Sequence, residues 1–222
     1  MTPLSGRLHP LRREDVPELD EYFRTFERRM GFVPNSVLTM ARWPKVVKAL
    51  AALGQAINDV EGGVLPMGLK SMVAELSSRS TGCLYCQAHF STNMSRMDVA
   101  NERIEALWDF RTSSLFTAAE KAAFEFAIAA SMVPNAVTED HFRELRRYYN
   151  EEQIVELLAT ISYVGYLNRW NDSMATPLED FPSRFAKARF GQRWDKGKHD
   201  RQVQEPGPGR NVGDVGDPQP VT

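Results

Sequence analysis

The chain has 222 residues, of which 42% are hydrophobic and 25% charged, and a formal net charge of −2, with a pI near 6.1. This is the composition of one ordinary globular domain with a sizeable core, and its charge balance gives no pull toward nucleic acid or an anionic membrane. No apolar run approaches the roughly 20 residues that span a bilayer, and Met1 to Pro10 lacks the apolar stretch of a signal peptide, so a cytoplasmic location is expected.

Residues 1–14 read as a loose leader, with Pro3, Gly6 and Pro10. A first helix is predicted from Asp15 to Met30, where Leu19, Tyr22, Phe23 and Phe26 recur at helical spacing and Gly31 supplies the stop. Val33-Pro34-Asn35-Ser36 is a turn, with Asn35 or Ser36 able to cap the next helix. A helix from Pro44 to Asp59 carries Val46, Val47, Leu50, Leu53 and Ile57, and Gly62-Gly63 breaks it. Pro66 to Ser80 is the next helix, with proline tolerated in its first turn. Thr81-Gly82 ends it and Cys83 opens another, to Met97, followed by a short helix from Asn101 to Phe110.

Thr117 and Glu120 form a capping box ahead of Ala123, Phe124, Ala127 and Ile128. Thr138 begins a helix to Tyr149, and Asn150 with Gln153 caps a long one bearing Ile154, Leu157, Leu158, Ile161, Val164 and Leu167. Pro177 and Pro182 bracket a turn before a last short helix from Pro182 to Phe190. No stretch alternates as a strand would, and there is neither a P-loop nor a GxGxxG. The expected fold is therefore all-α, a single domain over 15–190. Residues 191–222 read as a disordered tail, or one ordered only by contact with a neighbour, because the Pro- and Gly-rich stretch from 203 has too few large apolar groups to offset its ordering entropy.

The chemistry concentrates at Cys83 and Cys86, the only cysteines. Two cysteines at this spacing, with no secreted disulfide framework around them, point to redox chemistry or metal. Cys83 falls near a helix N-terminus, where unpaired N–H groups and the macrodipole favour a thiolate. Cys86 lies one turn on along the same face, and His89 one turn beyond that, within reach of the Cys86 sulfur as a base. Other readings stay open. A structural zinc site would need a fourth ligand such as His9, His141, His199 or a carboxylate. Buried inert thiols, or a His89 that only bonds locally, are also compatible. A thioredoxin-like motif would need a strand–helix context, and the surroundings are helical on both sides.

Several motifs in order carry a family resemblance. They are Gly31-Phe-Val-Pro-Asn35, Thr81-Gly-Cys83-x-x-Cys86-x-x-His89, Leu115-Phe-Thr-x-x-Glu120, and Asn168-Arg169-Trp170-Asn171. Over most of 30–182 the chain resembles the carboxymuconolactone decarboxylase and alkylhydroperoxidase D superfamily, in its peroxidase-related branch. The resemblance implies an alkylhydroperoxidase D-like helical domain with a core helical hairpin carrying the CxxC, assembled as a homo-oligomer. It implies a thiol-dependent peroxidase or disulfide oxidoreductase that reduces hydroperoxides. Cys86 would attack the peroxide and become a sulfenic acid, Cys83 would condense with it to a disulfide, and a dithiol reductant would restore the pair. No cofactor or metal is expected.

The family's relay Glu usually lies twelve residues before the first Cys, which is Ser71 here. Glu75, one turn later, is the candidate replacement, paired with His89, since the family's common relay-His position is Phe90. Tyr85, between the cysteines, could donate its hydroxyl to a sulfur or a peroxide oxygen. Asn168, Arg169 and Trp170 are read as a structural or interface group. The alternatives on this scaffold are a non-catalytic redox-sensing or assembly protein, and a decarboxylase or lactone-metabolising enzyme.

Overall fold

A computed structural model describes residues 7–58 and 62–200. Among them are ten α-helices, joined by turns and short 3-10 segments, and no strand. Helices α1 (Asp20–Met30), α2 (Asn35–Met40) and α3 (Pro44–Ile57) form one layer. The centre is α4 (Met67–Ser80) and α5 (Leu84–Arg96), followed by α6 (Asn101–Ala106), α7 (Ala118–Ser131) and α8 (Glu139–Leu145). The long α9 (Glu151–Met174) and α10 (Asp180–Phe190) complete the set.

The first helix starts later than its apolar spacing suggests. Pro17 lacks an N–H and restricts Val16, which sits at φ −140° and ψ 59°, so the chain makes two 3-10 turns before α1 begins at Asp20. The capping boxes at Thr117 and Asn150 form as the sequence predicts, with both reciprocal bonds present in each. Asn35 and Ser36 do not cap α2. Extended Pro34 begins that helix, and Asn35 sends its side chain across to the Pro177 carbonyl at 2.8 Å.

The α4–α5 hairpin is buried on almost every side. From Leu69 to Ser78 each residue of α4 is buried, because α5, α7 and α9 pack around it. The hairpin turns at Gly82, whose φ of +75° is a left-handed conformation that favours glycine. Here Gly82 N–H bonds the Arg79 carbonyl at 3.1 Å and Cys83 N–H the Ser78 carbonyl at 2.9 Å. Two apolar clusters flank the hairpin. One gathers Phe110, Phe124, Phe126 and Trp194, and the other Leu19, Phe23, Met40 and Val47 from the first layer. Phe90 and Leu167 touch both, so the seam between the clusters runs along α5 and α9.

The domain does not stop at 190. Two 3-10 turns, Gly191–Arg193 and Gly197–His199, fold back over the start of α5. Trp194 is 2% exposed and its indole N–H bonds the Leu84 carbonyl at 3.3 Å. Gly197, at φ +48°, lies so close that a Cβ there would stand 2.7 Å from Leu84 Cδ1. The tail boundary expected at 191 is therefore too early, because single anchors such as Trp194 and His199 make no periodic pattern. The Pro- and Gly-rich stretch from 201 lies outside the described residues, as do residues 1–6 of the leader.

Candidate active site

Cys83 is the N-cap of α5, and its sulfur accepts the Cys86 N–H at 3.4 Å. Both thiols are free. Cys83 is fully enclosed at 0% exposure, whereas Cys86, at 3%, faces a cleft on the seam. Tyr85, Cys86 and His89 line this cleft, with Phe26, Val37 and Leu50 among its apolar walls. Asn171, from α9, donates its amide to the Cys86 sulfur at 3.5 Å. Burial pushes the Cys86 thiol well above its ordinary range, the neighbouring Cys83 pushes the same way, and the Asn171 bond opposes both. The Cys86 sulfur is thus a protonated thiol at neutral pH until a step removes its proton.

The carboxylate of the site comes from a residue that sequence reasoning does not single out. Glu179 Oε2 lies 2.7 Å from His89 Nε2, and Oε1 accepts the Tyr85 hydroxyl at 2.9 Å and the Asn35 N–H at 2.6 Å. Burial alone would raise the Glu179 carboxyl, but the facing His89 and the Asn35 N–H bring it below its usual value. Burial raises Tyr85 well above its ordinary value, and the negative Glu179 adds to this, so the phenol keeps its proton and donates. The His89 ring stacks on Tyr85 with centroids 4.3 Å apart. Glu179 is the N-cap of α10 and stands between Pro177 and Pro182. Nothing local marks it, since its partners lie on α2 and α5.

The structure thus brings Cys83, Tyr85, Cys86 and His89 together and does not join Glu75 to them. Glu75 Oε1 accepts the Trp108 indole N–H at 2.7 Å, and no hydrogen bond links it to His89 or either sulfur among the described residues. The expected Glu75–His89 pair is replaced by Glu179–His89, because the Glu75 side chain turns toward Trp108, in the 3-10 turn Leu107–Asp109, and away from the cleft. Of the group at the end of α9, Asn168 accepts from Ser78 at 3.0 Å and Trp170 donates to Thr39 at 3.1 Å, both structural bonds. His199 is distant from the cysteines in sequence, yet its ring is 5.8 Å from Tyr85 and Nδ1 donates to the Thr176 carbonyl at 2.9 Å. Among the described residues, no three His, Cys, Asp or Glu side chains converge as a metal-ligand set.

Glu75 carries a pH signature of its own. It is 0% exposed, and among the described residues Oε2 has no hydrogen-bond partner. Burial lifts its carboxyl from 4.5 to about 7, against the pull of Trp108 and Arg79. The folded chain therefore holds this proton where the unfolded chain has lost it, and stability falls as pH rises from about 4.5 to about 7. The full loss is roughly 3 kcal/mol at 1.36 kcal/mol per unit. Urea unfolding at pH 5 and pH 8 is expected to show Glu75→Gln gaining on the unaltered chain at the higher pH. An equal difference at both would mean that Glu75 titrates normally.

Comparison with known proteins agrees with this architecture. The family model for the carboxymuconolactone decarboxylase family matches residues 40–129, from the end of α2 through most of α7. The apo structure of the debrominase Bmp8 superposes with a TM-score of 0.75 at 39% identity, covering 80% of this chain and 94% of that one. The chain belongs to the carboxymuconolactone decarboxylase family. A cysteine-to-alanine variant of Bmp8 in complex with 2,3,4-tribromopyrrole superposes with a TM-score of 0.78 at 36% identity, over 84% and 98% of the two chains. A peroxidase-related protein of Ralstonia eutropha JMP134 with the alkylhydroperoxidase D core shares the fold, with a TM-score of 0.71 at 20% identity over 82% and 95%. The uncharacterized protein YdfG of Bacillus subtilis is 27% identical over 98 residues, 44% of this chain and 67% of that one. No described helix is long and apolar enough to cross a membrane.

Proposed function

We propose that the chain is a dithiol-dependent reductase in which Cys86 takes an electrophilic atom from a small substrate and Cys83 resolves the adduct. The observation that carries this is the placement of the sulfurs. Cys86 faces the cleft, while Cys83 stands behind it at the N-cap with the Cys86 N–H donating to its sulfur.

The electrophilic atom in the leading reading is a halogen on an electron-rich ring. The apolar cleft and the similarity to a debrominase over nearly its whole length support it. The Cys86 thiolate attacks the halogen, the carbon–halogen bond breaks toward carbon, and the carbon takes a proton from the Tyr85–His89–Glu179 group. The Cys83 thiolate then attacks the Cys86 sulfur and releases halide. In sum, one aryl halide and two thiols give the arene, a disulfide, a proton and halide. An external dithiol then reduces the disulfide. The second reading is a hydroperoxide oxygen in place of the halogen, with a sulfenic acid on Cys86. The small free volume of the cleft, about 60 Å³, favours it, since a peroxide group needs less room than a ring.

The test mixes reduced protein with one equivalent of 2,3,4-tribromopyrrole or of tert-butyl hydroperoxide. Bromide release matched by loss of both thiols supports the first reading, and alcohol formation with the same thiol loss supports the second. Thiols that persist with both compounds would overturn the reductase. On either reading, Glu179→Gln is expected to lower kcat on the order of 100-fold, because His89 and Tyr85 lose the charge that orients them. Unchanged kcat would remove Glu179 from the proton path.

A further inference from the structure

Beside the cleft at Cys86, with Phe90 in the lining of both, lies a second recess that reaches Ser71 on α4. Arg29, Asn93 and Tyr163 line both parts. Among the described residues, no Asp or Glu lines either one. Arg29, in the last turn of α1, is half-buried, and among the described residues its guanidinium has no hydrogen-bond or ion-pair partner. The exposed arginines Arg12, Arg111 and Arg147, by contrast, hold carboxylates.

A half-buried guanidinium without a counter-ion has lost part of its hydration, a cost that pairing with an anion recovers. Burial lowers the Arg29 pKa, and among the described residues the Tyr163 hydroxyl acts on it in the opposite sense. The Tyr163 hydroxyl and the Asn93 amide likewise have no hydrogen-bond partner among the described residues. Three groups able to donate thus line one recess with no acceptor for them among the described residues, beside apolar walls and one reactive sulfur.

We infer that the substrate is a small organic acid, whose carboxylate docks on Arg29 with Asn93 and Tyr163 while its reducible atom meets Cys86. This rests on the reductase reading, and it adds what that reading lacks, a group that selects and orients the substrate. A planar carboxylate matches the guanidinium fork in a way a neutral ester does not. The missing counter-ion would then arrive with the substrate, and the acid would be distinguished from neutral analogues by charge rather than by the apolar wall.

The experiment measures calorimetric affinities of 4,5-dibromopyrrole-2-carboxylate and its methyl ester for the full chain carrying Cys86→Ser, which blocks turnover. The acid is expected to bind at least tenfold more tightly than the ester. Adding Arg29→Met should remove that preference without changing ester affinity, and Arg29→Lys should restore part of it. Equal binding of acid and ester, a preference that survives Arg29→Met, or no binding of either would overturn the inference. If Arg29→Met does not fold, the acid–ester comparison in the Cys86→Ser chain still decides. Acid binding that depends on Arg29, with no bromide released by the unaltered chain, would support this inference and remove the dehalogenation reading. Bromide released equally from acid and ester would do the reverse.

Discussion

Cys86→Ser is expected to lower turnover by roughly a thousandfold or more, the scale on which loss of a nucleophile falls, while Cys83→Ser keeps one stoichiometric reaction. The asymmetry comes from position. Cys86 is the sulfur on the cleft and Cys83 is fully enclosed behind it. Without Cys83, the Cys86 sulfur can still take the electrophilic atom once, and the adduct then waits for an outside thiol. Without Cys86, the cleft presents no thiol to the substrate. The measurement is product per protein in a single turnover, with mass spectrometry of the peptide that carries both positions. One equivalent of product from Cys83→Ser and none from Cys86→Ser is the expected pair. The opposite pair would make Cys83 the attacking sulfur and require the segment 191–200 to move aside. Because burial holds the Cys86 thiol above its ordinary range, the first step should also accelerate as pH rises beyond the usual thiol region.

The second large effect concerns stability. Lys70 is 2% exposed, and its ammonium donates to the Ile57 carbonyl at 2.8 Å and to Glu156. The other Glu156 oxygen accepts the N–H groups of Val64 at 2.8 Å and Leu65 at 3.0 Å. One carboxylate therefore neutralises a buried cation and holds the chain entering α4. Glu156→Ala leaves the ammonium unpaired and strips two N–H groups of their acceptor, with an expected loss of about 3–5 kcal/mol. For a chain of this length that is on the order of 10 °C in Tm. Lys70→Met combined with Glu156→Gln should cost clearly less than Glu156→Ala, because no buried charge is stranded. Urea unfolding of the three proteins checks this. A double variant as unstable as the single one would mean that the stranded charge does not account for the loss.

How much of the fold and the site is legible in the sequence depends on the range of each interaction. Thr117 with Glu120, Asn150 with Gln153, and Gly82 act within a single turn, so their roles appear in the sequence as local patterns. The CxxC and His89 are likewise neighbours on one helix. Glu179 acts across 90 residues on His89 and 144 on Asn35. Its own surroundings, Pro177 to Pro182, read only as a turn. Glu75 misleads in the opposite way. Its spacing from Cys83 puts it on a helix beside the dithiol, but spacing fixes a face of α4 and not the partner, which is Trp108. Trp194 and His199 read as tail because isolated anchors in a polar stretch leave no period to detect.

The partnership of His89 with Glu179 also bears on the order in which the molecule matures. The hairpin with both sulfurs is made well before the segment 176–200 is synthesised, and chains generally begin to fold from the N-terminal side as they emerge. An incomplete chain ending before 179 would carry the dithiol without the carboxylate that His89 and Tyr85 share, and without Trp194 over Leu84. On the proposed reading, the group of Tyr85, His89 and Glu179 is therefore complete only when α10 docks.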